Sequence, residues 1–171
     1  MGVHPPPGIG RPDGAASAIT TRVGSVAAFE LSTWIASPVE VCFDLSRSID
    51  LHLESMLTSR ERAVGGITSG LIGEGEEVTW EARHFGVIWR MTSRITEFDP
   101  PHFFVDQMVR GPFRSFRHEH RFEREGAGTR MTDLVEYAAP LGALSNPWVG
   151  WYLRRLVGQR NATICRRAEG G

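Results

Sequence analysis

Residues 115–125 read SFRHEHRFERE, and this stretch decides the fold. Rings alternate with charged side chains along it, with Phe116, His118, His120 and Phe122 on one side and Arg117, Glu119, Arg121 and Glu123 on the other. A period of two is that of a β-strand with one face against a core. We therefore expect a strand whose four charged residues face solvent and whose two histidines point inward with two phenylalanines.

Alternating segments also precede and follow this strand. They predict strands at 60–64, 76–85, 87–98, 103–110, 115–125 and 129–138. The separators, such as 99–101 (DPP) and 126–128 (GAG), combine the fixed φ of proline with the permissive backbone of glycine. Short connections of this kind join antiparallel neighbours, whereas parallel strands need long crossovers. We therefore predict an antiparallel meander.

The segment before the meander predicts one strand and two short helices. Residues 26–35 alternate as a strand, which brings the sheet to about seven strands. The sequence that follows is typical of a helix start, with Ser37 as N-cap, Pro38 as the first helical residue and Glu40 as the capping-box partner. A second short helix is expected at about 49–56, capped by Ser48 or Asp50.

After Pro140 the apolar period becomes helical. Asn146 is the expected N-cap, Pro147 the first helical residue, and an amphipathic helix is expected from 148 to about 167, with Arg160 on or near its apolar stripe. A curved antiparallel sheet has an apolar concave face that needs cover, and a long terminal helix can lie across it. The fold class predicted is α+β.

Composition limits the class of protein. The chain has 171 residues, 19 basic and 20 acidic side chains, a formal charge of -1 and 41% hydrophobic residues. The charge balance argues against nucleic acid as a partner, because phosphate binding needs a basic surface. The apolar content is sufficient for one folded domain. We expect a disordered leader at 1–24, the domain at 25–168 and a tail at 169–171.

The cysteines and the hydropathy bear on the compartment. Cys42 and Cys165 lie far apart with no CxxC spacing, which is typical of reduced, buried thiols. No run reaches the roughly 18 apolar residues of a membrane span, and the first residues lack a signal-peptide pattern. We expect a cytoplasmic protein with no membrane span.

Five short motifs occur in succession: FVDQ (104–107), GPF (111–113), HEHRF (118–122), TRMTD (129–133) and EYAAP (136–140). With the order of elements over 26 to about 167, they resemble the helix-grip fold of the SRPBCC and START-like superfamily, which includes the birch-pollen allergen and the polyketide cyclase/dehydrase and lipid transport proteins. The motifs look most like those of bacterial ligand-binding SRPBCC proteins.

The resemblance implies a hydrophobic cavity between the sheet and the C-terminal helix that holds a small, mostly apolar molecule. Rieske-type oxygenases of the superfamily hold an iron by two histidines and a carboxylate, but they carry a separate cysteine and histidine cluster domain that this sequence lacks. We therefore expect no cofactor. Carriers, receptors and cyclases of the superfamily share one fold, so the resemblance does not decide the chemistry.

His118 and His120 are the most informative candidates for a site. Each imidazole can hydrogen-bond a partner in a partly polar interior, recognise a ligand, or act as a general acid or base. Metal ligation needs a third ligand, and His-x-His alone is weak evidence, so no metal is expected. Asp106 and Asp133 are the available third partners, because each lies in an otherwise apolar strand.

The turn at 111–112 decides which face Asp106 occupies. An odd-length connection places it near His118, and an even one turns it toward Arg117 or Glu119. An Asp106–His118 pair would fix the histidine tautomer, as a general base requires, or would simply satisfy two buried groups.

Further residues complete the predicted ligand site. On the inner faces of their strands, and at the start of the last helix, these are Trp80, Trp89, Met91, Phe116, Phe122, Asp133 and Tyr152. Trp148, Trp151 and Tyr152 either anchor the helix on the sheet or, with the glycine-rich segment 65–75, gate the cavity mouth.

Two functions are predicted from these features. The first is a carrier, sensor or sequestering protein for a small hydrophobic molecule whose one polar group is recognised by His118 and His120. The second is an enzyme of the polyketide cyclase or dehydratase kind in which His118, with Asp106, moves a proton. An interaction protein of the toxin or stress-response kind, with a vestigial cavity, is a third possibility. The chain is expected to be a monomer or homodimer.

Overall fold

The structure, a computed structural model, describes residues 20–23, 26–56, 60–84, 86–141 and 145–170. Its elements are, in chain order, β1 (Thr20–Val23), β2 (Val26–Ile35), α1 (Val39–Ser46), α2 (Ile49–Ser55), β3 (Arg62–Gly66), β4 (Glu77–His84), β5 (Val87–Asp99), β6 (Phe103–Arg110), β7 (Ser115–Glu125), β8 (Gly128–Ala138) and α3 (Asn146–Glu169). This order, a strand and two short helices before a meander and a long helix, confirms the predicted α+β fold.

The strands form one antiparallel sheet in the order β1-β2-β8-β7-β6-β5-β4-β3. From β3 to β8 each strand pairs with the next one along the chain, which is the predicted meander. Breaks of register between β3 and β4 and between β5 and β6 mark bulges, which bend a sheet. In the described residues, β1 adds a short edge strand to the seven predicted. The remainder of the predicted leader, residues 1–19 and 24, lies outside the described residues.

The start of α1 differs from the prediction. The helix begins at Val39 with Pro38 in the N-cap position, so Ser37 and Glu40 form no capping box. Ser37 lies one residue before the N-cap position. Its carbonyl accepts a 2.7 Å hydrogen bond from the Thr129 hydroxyl of β8. Helix α2 does begin as predicted: the Ser48 hydroxyl accepts a hydrogen bond from the backbone of Leu51 at 3.2 Å.

The start of α3 is fixed by the end of β8. The predicted Asn146 cap is wrong, because the helix already includes Asn146 and the cap position falls on Ser145. The Asn146 amide oxygen accepts a hydrogen bond from the Ala139 backbone at 3.3 Å, and the Tyr137 hydroxyl donates to the Asn146 carbonyl at 2.8 Å. Gly150 permits this approach, since a Cβ there would lie 2.3 Å from the Tyr137 hydroxyl oxygen.

One charged residue of β7 does not face solvent as expected. Glu119 is only 4% exposed, although its side chain lies on the outer face of the sheet. Arg117 donates to it at 2.5 Å and Arg121 forms a second ion pair with it. Two long arginine side chains therefore cover a carboxylate that the alternation alone places in water.

The core has two parts, one on each side of a cavity. Around α1 and α2, the ring of Phe43 makes edge-to-face contacts with Phe104 and Phe122. At the other side, Phe29 and Tyr137 pack with the first half of α3. Helix α3 contacts β2, α1 and α2, and the cavity lies between it and the middle of the sheet. Among the described helices, none is long and apolar enough to cross a membrane.

Candidate functional site

The cavity has a volume of about 330 Å³ and a wall that is mostly apolar. Seven of the residues predicted for the ligand site line it: Trp80, Trp89, Met91, Phe116, His118, His120 and Tyr152. Trp89 is 40% exposed and therefore lies toward the opening of the cavity. The polar side chains of the wall include His118, His120, Asp106 and Arg160.

Two of the predicted residues do not line the cavity. Phe122 is 1% exposed and belongs to the phenylalanine cluster around Phe43. Asp133 has no exposed surface and contacts the side chains of both histidines. Asp133 therefore contacts two residues of the cavity wall without belonging to the wall itself.

The pairing of β6, β7 and β8 places the two histidines and two aspartates of the predicted site on one face. Asp106 pairs with His118, and His120 pairs with Asp133. Paired residues of an antiparallel sheet point to the same side, so all four lie on the concave face. The connection between β6 and β7 thus has the odd-length register that turns Asp106 inward.

The carboxylate partner of His118 is Asp133 and not Asp106. His118 Nε2 lies 2.8 Å from Asp133 Oδ1 in a hydrogen bond that water does not reach. His120 Nδ1 lies 2.8 Å from the same oxygen but forms no hydrogen bond with it. Sequence could not choose between the two aspartates because His118 has one on each neighbouring strand.

Asp133 is held as a carboxylate. Burial alone would raise its pKa, but the hydrogen bond from His118 and the close approach of the His120 ring nitrogen outweigh burial and hold the pKa well below its usual range. Asn161 of α3 also donates to Asp133 Oδ2 at 2.7 Å. An ionised carboxylate only accepts hydrogen bonds, so His118 Nε2 carries the proton of the shared bond. In a neutral His118, Nδ1 is then the atom that can take a proton.

His120 is the more deeply buried imidazole. It is 2% exposed and stacks on Phe104 with 4.2 Å between ring centroids. Burial, followed by the charges of His118 and Arg160, lowers its pKa well below the ordinary value, against the opposite effect of Asp133. His120 is therefore a neutral imidazole at neutral pH.

Asp106 lies in the cavity wall on the other side of His118. It is half-buried, and its Oδ1 is inaccessible to water with no hydrogen-bond partner among the described residues. Burial raises the pKa of this carboxyl, although His118 and the Ser93 hydroxyl act in the opposite direction. The pKa values of the two aspartates beside His118 are thus shifted in opposite directions.

Arg160 completes the polar part of the wall and was not predicted as a site residue. It is 6% exposed, its Nη2 donates to the Ser46 carbonyl at the end of α1, and its Nη1 lies 3.8 Å from Asp133 Oδ1. Burial lowers the pKa of its guanidinium, against the effect of Asp133 and Asp106. The signal for it was present, because a charged residue on an apolar stripe is unusual.

A second polar pair lines the cavity at α2 and the start of β3. His52 Nε2 lies 3.4 Å from Glu61 Oε1, and its ring stacks on Trp80 with a centroid distance of 4.2 Å. Both residues contribute to the wall. Nothing in the sequence pattern indicated this pair, because it joins a short helix to the residue before a strand.

His118, His120 and Asp133 also bring their ligand atoms within 4.8 Å of one another, close enough to hold a metal ion. The fit is poor on charge grounds, because the Arg160 guanidinium lies 3.8 Å from the oxygen that both histidines share. The other oxygen of Asp133 already accepts a hydrogen bond from Asn161. A cation at this point would meet a fixed positive charge in a low-dielectric interior.

The aromatic residues at the start of α3 have separate environments. Tyr152 is half-buried in the cavity wall, and Trp148 stacks near it with 6.3 Å between centroids. Trp151 is 60% exposed, so it does not anchor the helix on the sheet, which was one of the two roles predicted for it. The glycine-rich segment is tied to α2, since Gly70 exchanges hydrogen bonds with the Ile49 backbone and the Asp50 carboxylate.

Comparison with known proteins identifies relatives of this chain. The family model for polyketide cyclase / dehydrase and lipid transport proteins matches residues 26–169. No curated protein matches the chain in sequence.

Solved structures share the fold at low identity. The protein TTHA0849 from Thermus thermophilus is 18% identical over 84% of this chain and 97% of its own, with a TM-score of 0.68. The Zhui aromatase/cyclase from Streptomyces sp. R1128 is 13% identical over 84% and 94%, with a TM-score of 0.67. The major latex-like protein 151 of Panax ginseng is 14% identical over 85% and 99%, with a TM-score of 0.62. These similarities show the helix-grip fold, and the chemistry has to be argued from the residues of this chain.

Proposed function

Since the chain belongs to the polyketide cyclase / dehydrase and lipid transport family, we propose that it binds a small, mostly apolar molecule in the cavity under α3. In this proposal the protein is a carrier, a sensor or a sequestering protein. The observation that carries it is the cavity itself, about 330 Å³ in volume and with a wall in which apolar side chains outnumber polar ones. Cavities of this size and character bury most of a small ligand.

The arrangement of the wall supports a ligand with one polar end. Apolar side chains such as Trp80, Met91 and Phe116 provide the surface for the body of the molecule. His118 provides a polar contact whose orientation is fixed by Asp133. Few, well-oriented polar groups in an apolar cavity set the orientation of a ligand.

Binding is tested with N-phenylnaphthylamine, a neutral apolar dye that fluoresces when it leaves water. We expect one dye molecule per protein. Ala82 is 7% exposed and lines the cavity, so the added ring of the Ala82→Phe variant should take up part of it and weaken dye binding. The control is Ala162→Phe, at an exposed position of α3. Equal dye binding by both variants would contradict the proposal.

The contribution of His118 is tested separately. Removing both imidazoles would leave Asp133 without two of its neighbours, so a loss of binding could come from a loss of folding. His118→Gln is the better variant, because its amide can replace the Nε2 donor to Asp133 without replacing the imidazole. His102→Ala, at an exposed histidine before β6, is the control. We expect weaker retention of polar-ended ligands in His118→Gln alone.

One observation favours an enzyme as the second candidate. His118 and Asp133 form a carboxylate–imidazole pair at a cavity wall, and such a pair can move a proton in a polyketide cyclase or dehydratase reaction. Asp106, predicted as the partner of His118, is available on the other side as a second acid or base.

The enzyme candidate is tested by exchange of the α-protons of an aryl ketone, tetralone, into deuterated water. Catalysed exchange that His118→Gln abolishes would support proton transfer. Exchange at the uncatalysed rate in the wild-type protein, together with dye binding, favours the carrier.

A further inference from the structure

The Arg160 guanidinium is a buried cation without a full set of partners. Arg160 is 6% exposed and lines the cavity. Its Nη2 donates to the Ser46 carbonyl, but its Nη1 is inaccessible to water and has no hydrogen-bond partner among the described residues. An unpaired donor on a buried charge is costly, and its presence in a cavity wall indicates a partner that the protein itself does not supply.

The nearest carboxylate does not supply that partner. Asp133 Oδ1 lies 3.8 Å from Arg160 Nη1, which is beyond hydrogen-bond distance. The same oxygen is 2.8 Å from a nitrogen of each histidine, and Asn161 occupies the other oxygen. Asp133 is therefore already engaged by three other side chains.

The surrounding groups complement an acceptor. His118 donates through Nε2 to Asp133, and burial favours the protonated form of Asp106. Arg160 adds a fixed positive charge on the same part of the wall. A guanidinium in a low-dielectric cavity binds a carboxylate more strongly than any neutral group, because both charge and paired hydrogen bonds contribute.

We propose that Arg160 binds the carboxylate of the ligand, so that the natural ligand is an apolar organic acid. The apolar body lies against the aromatic wall. Nη1 is enclosed in this structure, so binding includes a small movement of the Arg160 side chain that turns Nη1 toward the carboxylate in the cavity. This proposal rests on the proposed function, because it names the class of molecule that the same cavity binds.

The test compares two probes that differ only at the polar end, naphthaleneacetic acid and naphthaleneethanol, by isothermal titration calorimetry. We expect the wild-type protein to bind the acid roughly tenfold or more tightly than the alcohol, which is the effect of one charge-assisted contact. In Arg160→Gln the acid should lose that preference, so that the two probes bind with similar affinity. Arg155→Gln, at an exposed arginine on the same helix, should leave both affinities unchanged.

The outcomes separate this inference from the proposed function. Equal binding of acid and alcohol by the wild-type protein would overturn the carboxylate assignment and leave the apolar cavity intact as a binding site. An acid preference that persists in Arg160→Gln would assign the carboxylate to another residue. Binding of neither probe would overturn both proposals. If Arg160→Gln does not fold, the wild-type comparison still tests the ligand class, because equal binding of acid and alcohol overturns the assignment without the variant.

Discussion

His118 Nε2 and Asp133 Oδ1 lie 2.8 Å apart on neighbouring strands, and neither residue is more than 7% exposed. This contact fixes the tautomer of His118, because an ionised Asp133 only accepts hydrogen bonds and so keeps the proton on Nε2. It also connects the cavity wall to α3, since Asn161 donates to the other oxygen of the same carboxylate.

Asp133→Asn should destabilise the protein strongly. The amide removes the negative charge beside Arg160 and, with a single oxygen, cannot accept from both His118 and Asn161 as the two carboxylate oxygens do. Removing one partner from a buried network of charged groups lowers the unfolding free energy by about 3–5 kcal/mol. Urea denaturation measures the loss. Glu123→Gln, at an exposed carboxylate of β7, is the control, and a loss within about 0.5 kcal/mol of that control's would contradict the account.

Acid should destabilise the protein through His120. Its pKa in the folded state lies well below the ordinary 6.5, with His118, Arg160 and Asp133 as the charged or titratable groups facing it. Below about pH 6.5 the unfolded chain therefore binds a proton that the folded protein does not, so the unfolding free energy falls as pH drops and is fully restored above that value.

Urea denaturation between neutral pH and about pH 5 checks this, in a range above the ordinary pKa of an aspartate. The His120→Asn variant lacks the titrating group and should show a smaller fall in unfolding free energy with pH than the wild-type protein. The same fall in both would assign the acid sensitivity to a different residue.

Asp106→Asn should stabilise the protein at neutral pH. Because burial raises the pKa of Asp106 in the folded state above the ordinary 3.8, the unfolded chain releases this proton more readily, and stability is lost as pH rises from that value. The amide resembles the protonated carboxyl and removes this loss. We expect a higher melting temperature than wild type at neutral pH and little difference near pH 3. A variant that is less stable at both pH values would show that the carboxylate has a favourable structural role.

One equivalent of Zn²⁺ or Fe²⁺ should not be retained after desalting, and should not raise the melting temperature. The physical reason is the guanidinium of Arg160, which lies 3.8 Å from the Asp133 oxygen that a metal would share with both histidines. Stoichiometric metal that is lost in His118→Ala would contradict this prediction and identify the three side chains as a metal site.

The residues differ in how far sequence could place them. The inward direction of His118 and His120 follows from the period of β7, because a strand turns alternate side chains to one face. A difference of one residue in the β6–β7 connection decides whether Asp106 faces the cavity, and the sequence did not show that length. The partner of His118 is set by the distances between neighbouring strands, which the pattern of a single strand does not show.

The environments of other residues were not predicted, because a sequence pattern indicates only the average environment of a position. Arg160 fell on the apolar stripe of α3, where only the three-dimensional packing shows a guanidinium between the end of α1 and Asp133. Glu119 alternates as a solvent residue but is covered by two arginines. Ser37 has the identity of an N-cap, yet a hydrogen bond from Thr129 holds its carbonyl before the helix begins.

The most direct test of the central claim is native mass spectrometry of the protein purified from cells, followed by denaturation and identification of what is released. We predict one bound apolar molecule per chain in the wild-type protein and a lower occupancy in Ala82→Phe, whose added ring takes up part of the cavity. Wild-type protein that carries no molecule, and gains none when incubated with a lipid and metabolite extract of the same cells, would contradict a ligand-binding cavity.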